Sequence, residues 1–466
     1  MSVPFRTLPL VLAVSALLSA GTAAAADSLT FEAARARFHE RADIFRADAA
    51  EVERARHASE SAKSLSGPKV DITAMQVEGR KDLDLNLDIP ASVQQLGSAL
   101  SQGKLSIPSS MRFANELDLS GPRAMISATW PLYTGGAITA QQNLLEHKVR
   151  EASAAQSARL EEKDADLAMR YWGVQLARSV EELRRERLKD EEEQVHRAMR
   201  FEKKGLISRI ERMSVEVSRD AARRELVSAG TSARVAEAEL MSALREKELP
   251  ALATPLFILT GDLGTLSEWQ SRARINSPVL SRIDAQVSQA GEGVRAAESA
   301  FHPQVFAFGM KNLVKHYLTP VEPDWMVGLG IKFTLWDNRD RFSSLAASHA
   351  QEEKARAAKA EADNALASAV ETAFLRTTQA REEYLLTAST VALAKENLRL
   401  REASFAEGLS TALDVREART QMTGAQIAER AAAYKFVVSW AMLHGAAGVM
   451  PDFVATLSRP DLKRVE

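Results

Sequence analysis

The sequence predicts a mainly α-helical fold with a small β part, in which long coiled-coil hairpins adjoin four amphipathic strands. Residues 129–226 and 332–429 are similar, without a gap, at an offset of 203 positions. Each copy has the pattern of a strand, a helix of about 65 residues, a glycine turn and a return helix, which is a fixed-period repeat. With 26% charged and only 6% aromatic residues, the composition is also that of long helices.

The N-terminal segment predicts export from the cytoplasm. Arg6 precedes an apolar run at 8–20, and the alanines at 24–26 offer a cleavage site, so residues 1–26 are expected to be a secretory signal peptide. An uncleaved anchor helix is the alternative. No later run of 18 apolar residues predicts a transmembrane helix. The absence of cysteine excludes disulfides and thiolate chemistry, and a net charge of −2 gives no nucleic-acid footprint.

The elements of the first half follow from the spacing of apolar residues, which is three and four in helices and two in strands. Sevenfold apolar steps in the longest helix indicate a supercoil. In chain order we predict a helix at 28–66, a strand at 70–74 that resumes at 83–89, a long loop at 90–116, a strand at 124–133, a helix at 137–203, a return helix at 208–248, an irregular stretch at 250–264, and short helices at 265–273 and 278–300.

The second half repeats this plan. The prediction is a strand at 302–310, a loop at 311–324, a strand at 327–335, a helix at 338–406, its partner at 411–444, and a short polar tail. Each of the two longest helices would measure about 100 Å at 1.5 Å per residue, far more than a typical globular helix.

The four strands have the length that crosses a bilayer, about 9–11 residues. Aromatic residues, which favour the membrane interface, lie near their ends: Trp130, Tyr133, Trp325 and Trp336. A soluble sheet covered by helices is the alternative. A sheet in hydrocarbon cannot leave its edges unpaired, and a single-chain barrel needs about eight strands. Transmembrane strands would therefore require several copies to share one barrel, and three copies would supply twelve strands.

The order of these elements resembles the outer-membrane efflux protein family, the TolC-type channel-tunnels. The resemblance covers nearly the whole mature chain. It rests on the duplicated plan, on the hairpin turns at Gly205 and Gly408, and on a stretch in which Phe405 and Gly408 are followed by Asp414, Val415 and Ala418.

The resemblance implies a homotrimer with one twelve-stranded β-barrel, an α-barrel of coiled helices and an equatorial belt. It implies an outer-membrane location with extension into the periplasm. The implied function is that of a passive exit duct for a tripartite efflux pump or a type I secretion system. A periplasmic adaptor (membrane fusion protein) and an inner-membrane transporter would dock on it and open a periplasmic gate.

The predicted organisation has five segments. They are the signal peptide at 1–26, a first structural repeat at 27–248, an equatorial linker region at 249–275, a second structural repeat at 276–448 and a C-terminal tail at 449–466. Each repeat would hold a helix, two strands and one long helical hairpin.

The resemblance places acidic constriction residues just after the second hairpin turn, at Asp414 and Glu417. Asp414 and its counterpart Glu211 each stand three residues after a Ser or Thr, which also predicts capping boxes. Glu417 lies on the same helix face as Asp414, and an ordinary solvated face is its alternative. If these acids line the lumen, threefold symmetry would make rings that attract cations.

Arg209 and Arg416 are candidates for holding the closed entrance through ion pairs between helices; two exposed arginines are the alternative. The sequence shows no metal-ligand set and no catalytic or nucleotide-binding motif. We therefore expect no enzyme activity, no cofactor and no metal. The rival to the duct is a periplasmic coiled-coil adaptor that forms no pore, although an adaptor would normally carry one hairpin rather than two.

Overall fold

The computed structural model describes residues 28–465, except 103, 105, 119, 319–321, 336, 337, 339 and 408. The predicted signal peptide lies outside these residues. The described chain forms two compact units, one from residues 28–45, 159–276 and 367–465 and the other from residues 46–158 and 277–366. Each unit combines segments from both copies of the repeat.

Helices account for most of the described chain. They are α1 (Phe31–Arg41), α2 (Asp43–Lys63), α3 (Ala91–Leu100), α4 (Ala137–Lys203), α5 (Arg209–Leu244), α6 (Leu266–Asn276), α7 (Pro278–Glu298), α8 (Arg341–Ala406), α9 (Ala412–Ala447) and α10 (Met450–Thr456). None of the helices in the described part of the chain combines the length and the apolar character that crossing a bilayer requires.

The strands are short apart from β4. They are β1 (Lys69–Val77), β2 (Arg80–Asp88), β3 (Ser110–Asp118), β4 (Gly121–Tyr133), β5 (Leu256–Leu259), β6 (Gln304–Asn312), β7 (Trp325–Lys332) and β8 (Leu462–Val465). β1, β4, β6 and β7 form one antiparallel sheet in that order, so the four strands predicted beside the long helices are present.

The duplication is visible in the helix boundaries. Helices α4 and α8 have 67 and 66 residues, and α5 and α9 have 36 each. α4 ends at Lys203 and α8 at Ala406, 203 positions apart. The residues that follow α5 and α9, Arg245 and Gly448, share the left-handed conformation at the same offset. The sequence repeat is therefore a repeat of structure.

Three expectations about local structure were wrong. The segment at 90–116, predicted to be a long loop around a short amphipathic piece, contains α3 and most of β3, and β3 pairs with β2. The stretch at 250–264, predicted to be irregular, contains β5, which pairs with β8 of the predicted polar tail. The helix predicted at 28–66 is broken at Ala42, whose extended backbone separates α1 from α2. β3 and β8 depend on partners distant in sequence, and local spacing does not reveal such partners.

An aromatic cluster forms the centre of the first unit. Trp172 of α4 contacts Phe31 of α1, Phe257 of β5 and Phe453 of α10, with ring centroids 4.5, 5.8 and 5.7 Å apart. The buried Tyr171 hydroxyl donates to the carbonyl of Leu29 at 2.6 Å and accepts from a backbone N–H in the segment before β5. Since aromatic side chains bury large apolar areas, this cluster fixes α1, β5 and α10 to α4.

The second unit exposes an apolar sheet face. Pairing register places even-numbered residues of β1 and β4 on the same face as odd-numbered residues of β6 and β7. This face carries exposed large apolar side chains: Val70, Ile72, Trp130, Trp325, Val327, Leu329 and Ile331. Leu329 is 74% exposed, so helices of the same chain do not cover this face. Such a continuous apolar surface marks contact with lipid or another apolar partner.

The opposite face of β6 and β7 is shaped by glycine. A Cβ atom at Gly330 would lie 2.5 Å from the ring of Phe306, and one at Gly328 would lie 2.9 Å from the ring of Phe308. The two rings therefore occupy the space above these glycines of β7, and a side chain at either glycine would displace them.

Two buried titratable groups flank the aromatic cluster. Burial raises the pKa of Glu161 to about 7, although its carboxylate accepts a 2.9 Å hydrogen bond from the N–H of Met450. Nearby Asp164 raises this pKa further. Burial lowers the pKa of His444 to about 4, so the imidazole, bonded to the Trp440 carbonyl at 2.8 Å, stays neutral at pH 7.

We predict that Glu161→Gln flattens the dependence of stability on pH. In the unfolded chain this carboxyl ionises near pH 4.5, whereas in the folded chain it ionises near pH 7. The folded state therefore gains stability as pH falls from about 7 to about 4.5 and loses it again as pH rises. The variant lacks that gain. When the pH is lowered from 8 to 5, the melting temperature of the variant should therefore fall by a few degrees relative to that of the wild type. The difference stays small because the carboxyl group is partly solvated.

Thermal unfolding of the purified protein across this pH range checks the prediction. Glu162→Gln, an exposed carboxylate one position away, is the matched control and should follow the wild-type profile. Parallel profiles for Glu161→Gln and the wild type would contradict the assignment.

Candidate gate at the ends of the helical hairpins

Two hairpins, the first formed by α4 and α5 and the second by α8 and α9, end in tight turns within the first unit. At the first turn Gly205 adopts φ +72°, a left-handed conformation that favours glycine, and the N–H of Leu206 donates to the Phe201 carbonyl at 2.9 Å. At the second turn the N–H of Leu409 donates to the Ser404 carbonyl at 2.8 Å. The predicted turn residue Gly408 lies outside the described residues.

Both predicted capping boxes form directly after the turns. Glu211 accepts a hydrogen bond from the N–H of Ser208 at 2.7 Å, and Asp414 accepts one from the N–H of Thr411 at 2.9 Å. In return each hydroxyl accepts from the N–H of its acidic partner. These backbone hydrogen bonds hold the pKa of Glu211 and of Asp414 below the usual range. Both carboxylates therefore stay charged at neutral and mildly acidic pH.

Glu417 and Arg209 are exposed at the same end of the hairpins. Glu417 is held only loosely, by a 3.5 Å contact from the side-chain amide of Gln421. Arg209 makes no hydrogen bond or ion pair among the described residues. No group of three or more His, Asp and Glu side chains in the described segments could hold a metal ion.

Arg416 links the two hairpins through a hydroxyl. Its guanidinium donates to the Ser218 hydroxyl of α5 at 2.9 Å. One helical turn further on, Arg419 donates to Glu402 of α8 at 2.5 Å and lies 3.8 Å from Asp190 of α4. Within one chain Arg416 thus bonds a neutral partner, and its role in ion pairs between helices at a closed entrance stays a prediction.

Each hairpin is held together internally by ion pairs. In the first hairpin Arg212 bonds Glu202 at 2.7 Å and Arg178 bonds Glu237 at 2.6 Å. In the second, the pair between Arg419 and Glu402 is joined by one between Lys435 and Glu383 at 3.1 Å.

Contacts between the hairpins are mostly to neutral groups. Besides the bond from Arg416 to Ser218, Arg430 donates to the Ser179 hydroxyl at 3.1 Å and Tyr434 to the Met169 carbonyl at 3.4 Å. Hydrogen bonds between two charged groups are stronger than those to a neutral acceptor. The hydrogen bonds between the hairpins are therefore weaker, bond for bond, than the ion pairs within each hairpin.

Glu191 of α4 is a buried acid at this junction that sequence reasoning missed. One of its carboxylate oxygens has no hydrogen-bond partner among the described residues. Burial raises its pKa, while the guanidinium groups of Arg187, Arg416 and Arg419 oppose that shift. In the sequence it stands in a run of acids at 190–193, a pattern typical of a solvated face. The one signal in the sequence is that Arg416 and Arg419, three residues apart, lie on the same face of α9 and could both face a buried acid such as Glu191.

The hairpin ends also expose large apolar side chains. Leu206 and Ile210 at the first turn are 66% and 79% exposed, and Leu409 and Leu413 at the second are 79% and 59% exposed. Clustered apolar side chains rimmed by charges mark sites of contact with other proteins.

The predicted interface aromatics lie at opposite ends of the sheet. Trp130 and Tyr133 lie near the end of β4 that leads into α4, and the Trp130 indole donates to the Ser66 carbonyl at 2.8 Å. Trp325, at the start of β7, is level with Ile126. Along β4 that level lies about 23 Å from Tyr133 at 3.3 Å per residue, close to the ~25 Å apolar band of membrane barrels. Trp336 lies outside the described residues.

Comparison with known proteins places this architecture. A family model described as outer membrane efflux protein matches residues 35–244 and 269–449. A comparison with curated protein sequences finds no match.

Solved outer-membrane channels share the fold. VceC of Vibrio cholerae is 14% identical, with 90% of this chain and 96% of that chain covered and a TM-score of 0.70. The open state of MtrE of Neisseria gonorrhoeae is 18% identical, with 90% and 89% covered and a TM-score of 0.71. CmeC of Campylobacter jejuni is 12% identical, with 92% and 89% covered and a TM-score of 0.72.

Since the family model spans well over half of the residues, the chain belongs to the outer membrane efflux protein family. It is an outer-membrane protein that extends into the periplasm. The resemblance and the fold class inferred from the sequence are confirmed.

We predict that Arg416→Ala loosens the contact between the hairpins. The substitution removes a hydrogen bond from a charged donor, worth about 1.5 kcal/mol, and one countercharge of Glu191. Amide hydrogen exchange near Ser218 and in the first turns of α9 should accelerate about tenfold. Arg209→Ala, the control, removes an exposed arginine at the same end and should leave exchange unchanged. Equal exchange in the wild type and both variants would show that Arg416 does not hold the hairpins together.

Proposed function

We propose that the chain is one third of a homotrimeric channel-tunnel. Three copies would close one twelve-stranded β-barrel in the outer membrane and would surround a periplasmic tunnel with their long helices. The channel would be the passive exit duct of a tripartite efflux pump or a type I secretion system, without enzyme activity. The family match favours this duct over the adaptor alternative.

The single observation that supports this proposal most strongly is the open sheet. β1 and β7 each leave one edge that pairs with no strand among the described residues. The same sheet exposes a continuous apolar face, with Ile72 71% and Ile331 75% exposed. A sheet whose face suits lipid cannot leave edges unpaired in hydrocarbon, because each unsatisfied backbone group there costs several kcal/mol. Pairing β7 of one copy with β1 of the next satisfies both edges, and closed symmetry completes the ring.

The gate is assigned to the hairpin ends. Asp414, Glu417 and Glu211 supply negative charge there, and Arg209 and Arg416 supply positive charge. The trimer would present each charge three times around the axis, so the acids would form rings that select cations. The weak links between hairpins would let the second hairpin move against the first when the gate opens.

Docking by partners is assigned to the same end. The exposed leucines and isoleucine of the two turns, Leu206, Ile210, Leu409 and Leu413, fit contact with a periplasmic adaptor that carries an inner-membrane transporter. Binding of an adaptor that prefers the open arrangement would shift the gate toward opening, since a ligand shifts an equilibrium by its differential affinity.

We predict that Glu417→Lys reverses charge at the constriction. Three glutamates become three lysines in the trimer, so the cation-over-anion permeability ratio in planar bilayers should fall severalfold. Glu192→Lys changes an exposed carboxylate on α4 and is the matched control, with an expected ratio near that of the wild type.

The oligomeric state and conductance of the same preparations distinguish a wrong assignment of Glu417 from a wrong assignment of the duct. If the protein inserts as a trimer with conductance and cation preference unaffected by Glu417→Lys, Glu417 does not line the pore. Recovery of the wild-type protein as a soluble periplasmic monomer would instead refute the duct itself.

A further inference from the structure

The first strand pair is much longer than the sheet it belongs to. Val77 of β1 pairs with Gly121 of β4, and Arg80 of β2 pairs with Asp118 of β3. The pairing therefore has the same register on both sides of the interruption. β1 and then β2 run antiparallel to β3 and then β4, and the far end of this strand pair is Asp88 opposite Ser110.

The part formed by β2, α3 and β3, here called the ribbon, extends past the end of the sheet. β6 and β7 stop at Asn312 and Trp325. The β6–β7 loop contacts the base of the ribbon, since Tyr317 fills the space that a side chain at Gly121 would occupy. β2 has nine residues, so the ribbon projects about 30 Å further. A two-stranded pair is at best marginally stable alone in water.

The polar and apolar faces change sides where the ribbon begins. In β1 the even-numbered positions hold exposed apolar residues such as Val70 and Ile72. In the ribbon the even-numbered positions are polar apart from Ala114, and Arg112 forms an ion pair with Asp84 across that face. Since the register is unbroken, the face that continues the apolar outside of the sheet becomes hydrophilic.

The other face of the ribbon is apolar. Leu87, Met111 and Phe113 occupy odd-numbered positions and are 55%, 46% and 52% exposed. Near the start of β1 the corresponding face holds Asp71 and Thr73, as suits a water-filled lumen, and it becomes apolar at Met75 and Val77, next to the ribbon. α3 at the tip adds three exposed apolar side chains, those of Val93, Leu96 and Leu100. The face of the ribbon that continues the inner face of the sheet is therefore apolar and exposed, and contact with an apolar partner would stabilise it.

We propose that this partner is the same face of two further copies of the chain. The proposal rests on the trimeric barrel, in which the inner faces of all sheets surround one axis. Three ribbons that leave the barrel rim would bring their apolar faces together on that axis and form a cap over the outer mouth. The contact continues the barrel interface between copies, and it covers an apolar surface that each ribbon alone would expose to water.

The membrane surface is a poorer partner for the ribbon. A ribbon lying on lipid would turn its apolar face outward, whereas the face continuous with the lipid-facing side carries the ion pair between Asp84 and Arg112 and the exposed Asn86 and Asp88. Burying such charges in an apolar phase is unfavourable.

The absence of native cysteine allows a direct test in cells. Phe113→Cys places one thiol on the proposed contact face, and Ala114→Cys places one on the opposite face, one position away and also exposed. After mild oxidation of intact cells, Phe113→Cys should give severalfold more disulfide-linked dimer than Ala114→Cys. Met111→Cys, two positions away on the same face, should behave as Phe113→Cys does and replaces it if that variant fails to assemble.

Other outcomes overturn the cap. Without cross-linking, rapid reaction of the thiols at 111 and 113 with a water-soluble maleimide would show the face in water. Protection from maleimide together with quenching of an attached fluorophore by brominated lipid would show it on the membrane. Size measurement of each variant in mild detergent separates the two proposals, because a trimer without cross-links contradicts only the cap, and a monomer contradicts the duct.

Discussion

The unpaired edges of one small sheet constrain the rest of this protein. β1 and β7 end the four-stranded sheet, and its outer face exposes valine, leucine and isoleucine. Neither feature is tolerable for an isolated chain, in water because of the apolar face or in lipid because of the open edges. In the proposed assembly several copies would resolve both, since the edges would pair and the apolar face would meet lipid. On that account the fold of one chain is completed only by its copies.

Under the proposed function the helical hairpins have a different requirement. Each hairpin must keep its shape while one hairpin moves against the other. Ion pairs such as that of Arg212 with Glu202 stabilise each hairpin internally, whereas hydroxyls and a carbonyl accept most bonds between hairpins. The aromatic cluster around Trp172 fixes α1 and α10 to α4. Hairpins with strong internal ion pairs and weaker bonds between them fit the proposed gate, in which one hairpin moves against the other as a body.

Sequence reasoning predicted what depends on local spacing and missed what depends on distant partners. The long helices, the four sheet strands and both capping boxes follow from periodicity and from Ser208 and Thr411 three residues before an acid. β3 was not predicted, because prolines and serines precede it and because local spacing does not show that it pairs with β2. β5 and β8 are four residues each and specify one another across some 200 positions. Glu191 was missed because its burial comes from arginines on another helix.

Cross-linking between the sheet edges of neighbouring copies tests the central claim most directly. In this cysteine-free chain, Ile72→Cys on β1 can be combined in turn with Val327→Cys, Leu329→Cys or Ile331→Cys on β7, all on the lipid-facing side. Thiols on paired strands lie within disulfide distance in only some registers, so at least one combination should yield linked dimers and trimers in outer membranes. As a control, Ala128→Cys on the central strand β4 takes the place of Ile72→Cys. It should give no linked dimers or trimers, because β4 is not at an edge of the sheet. Absence of linked species in every combination, in protein that is folded in the membrane, would contradict the shared barrel.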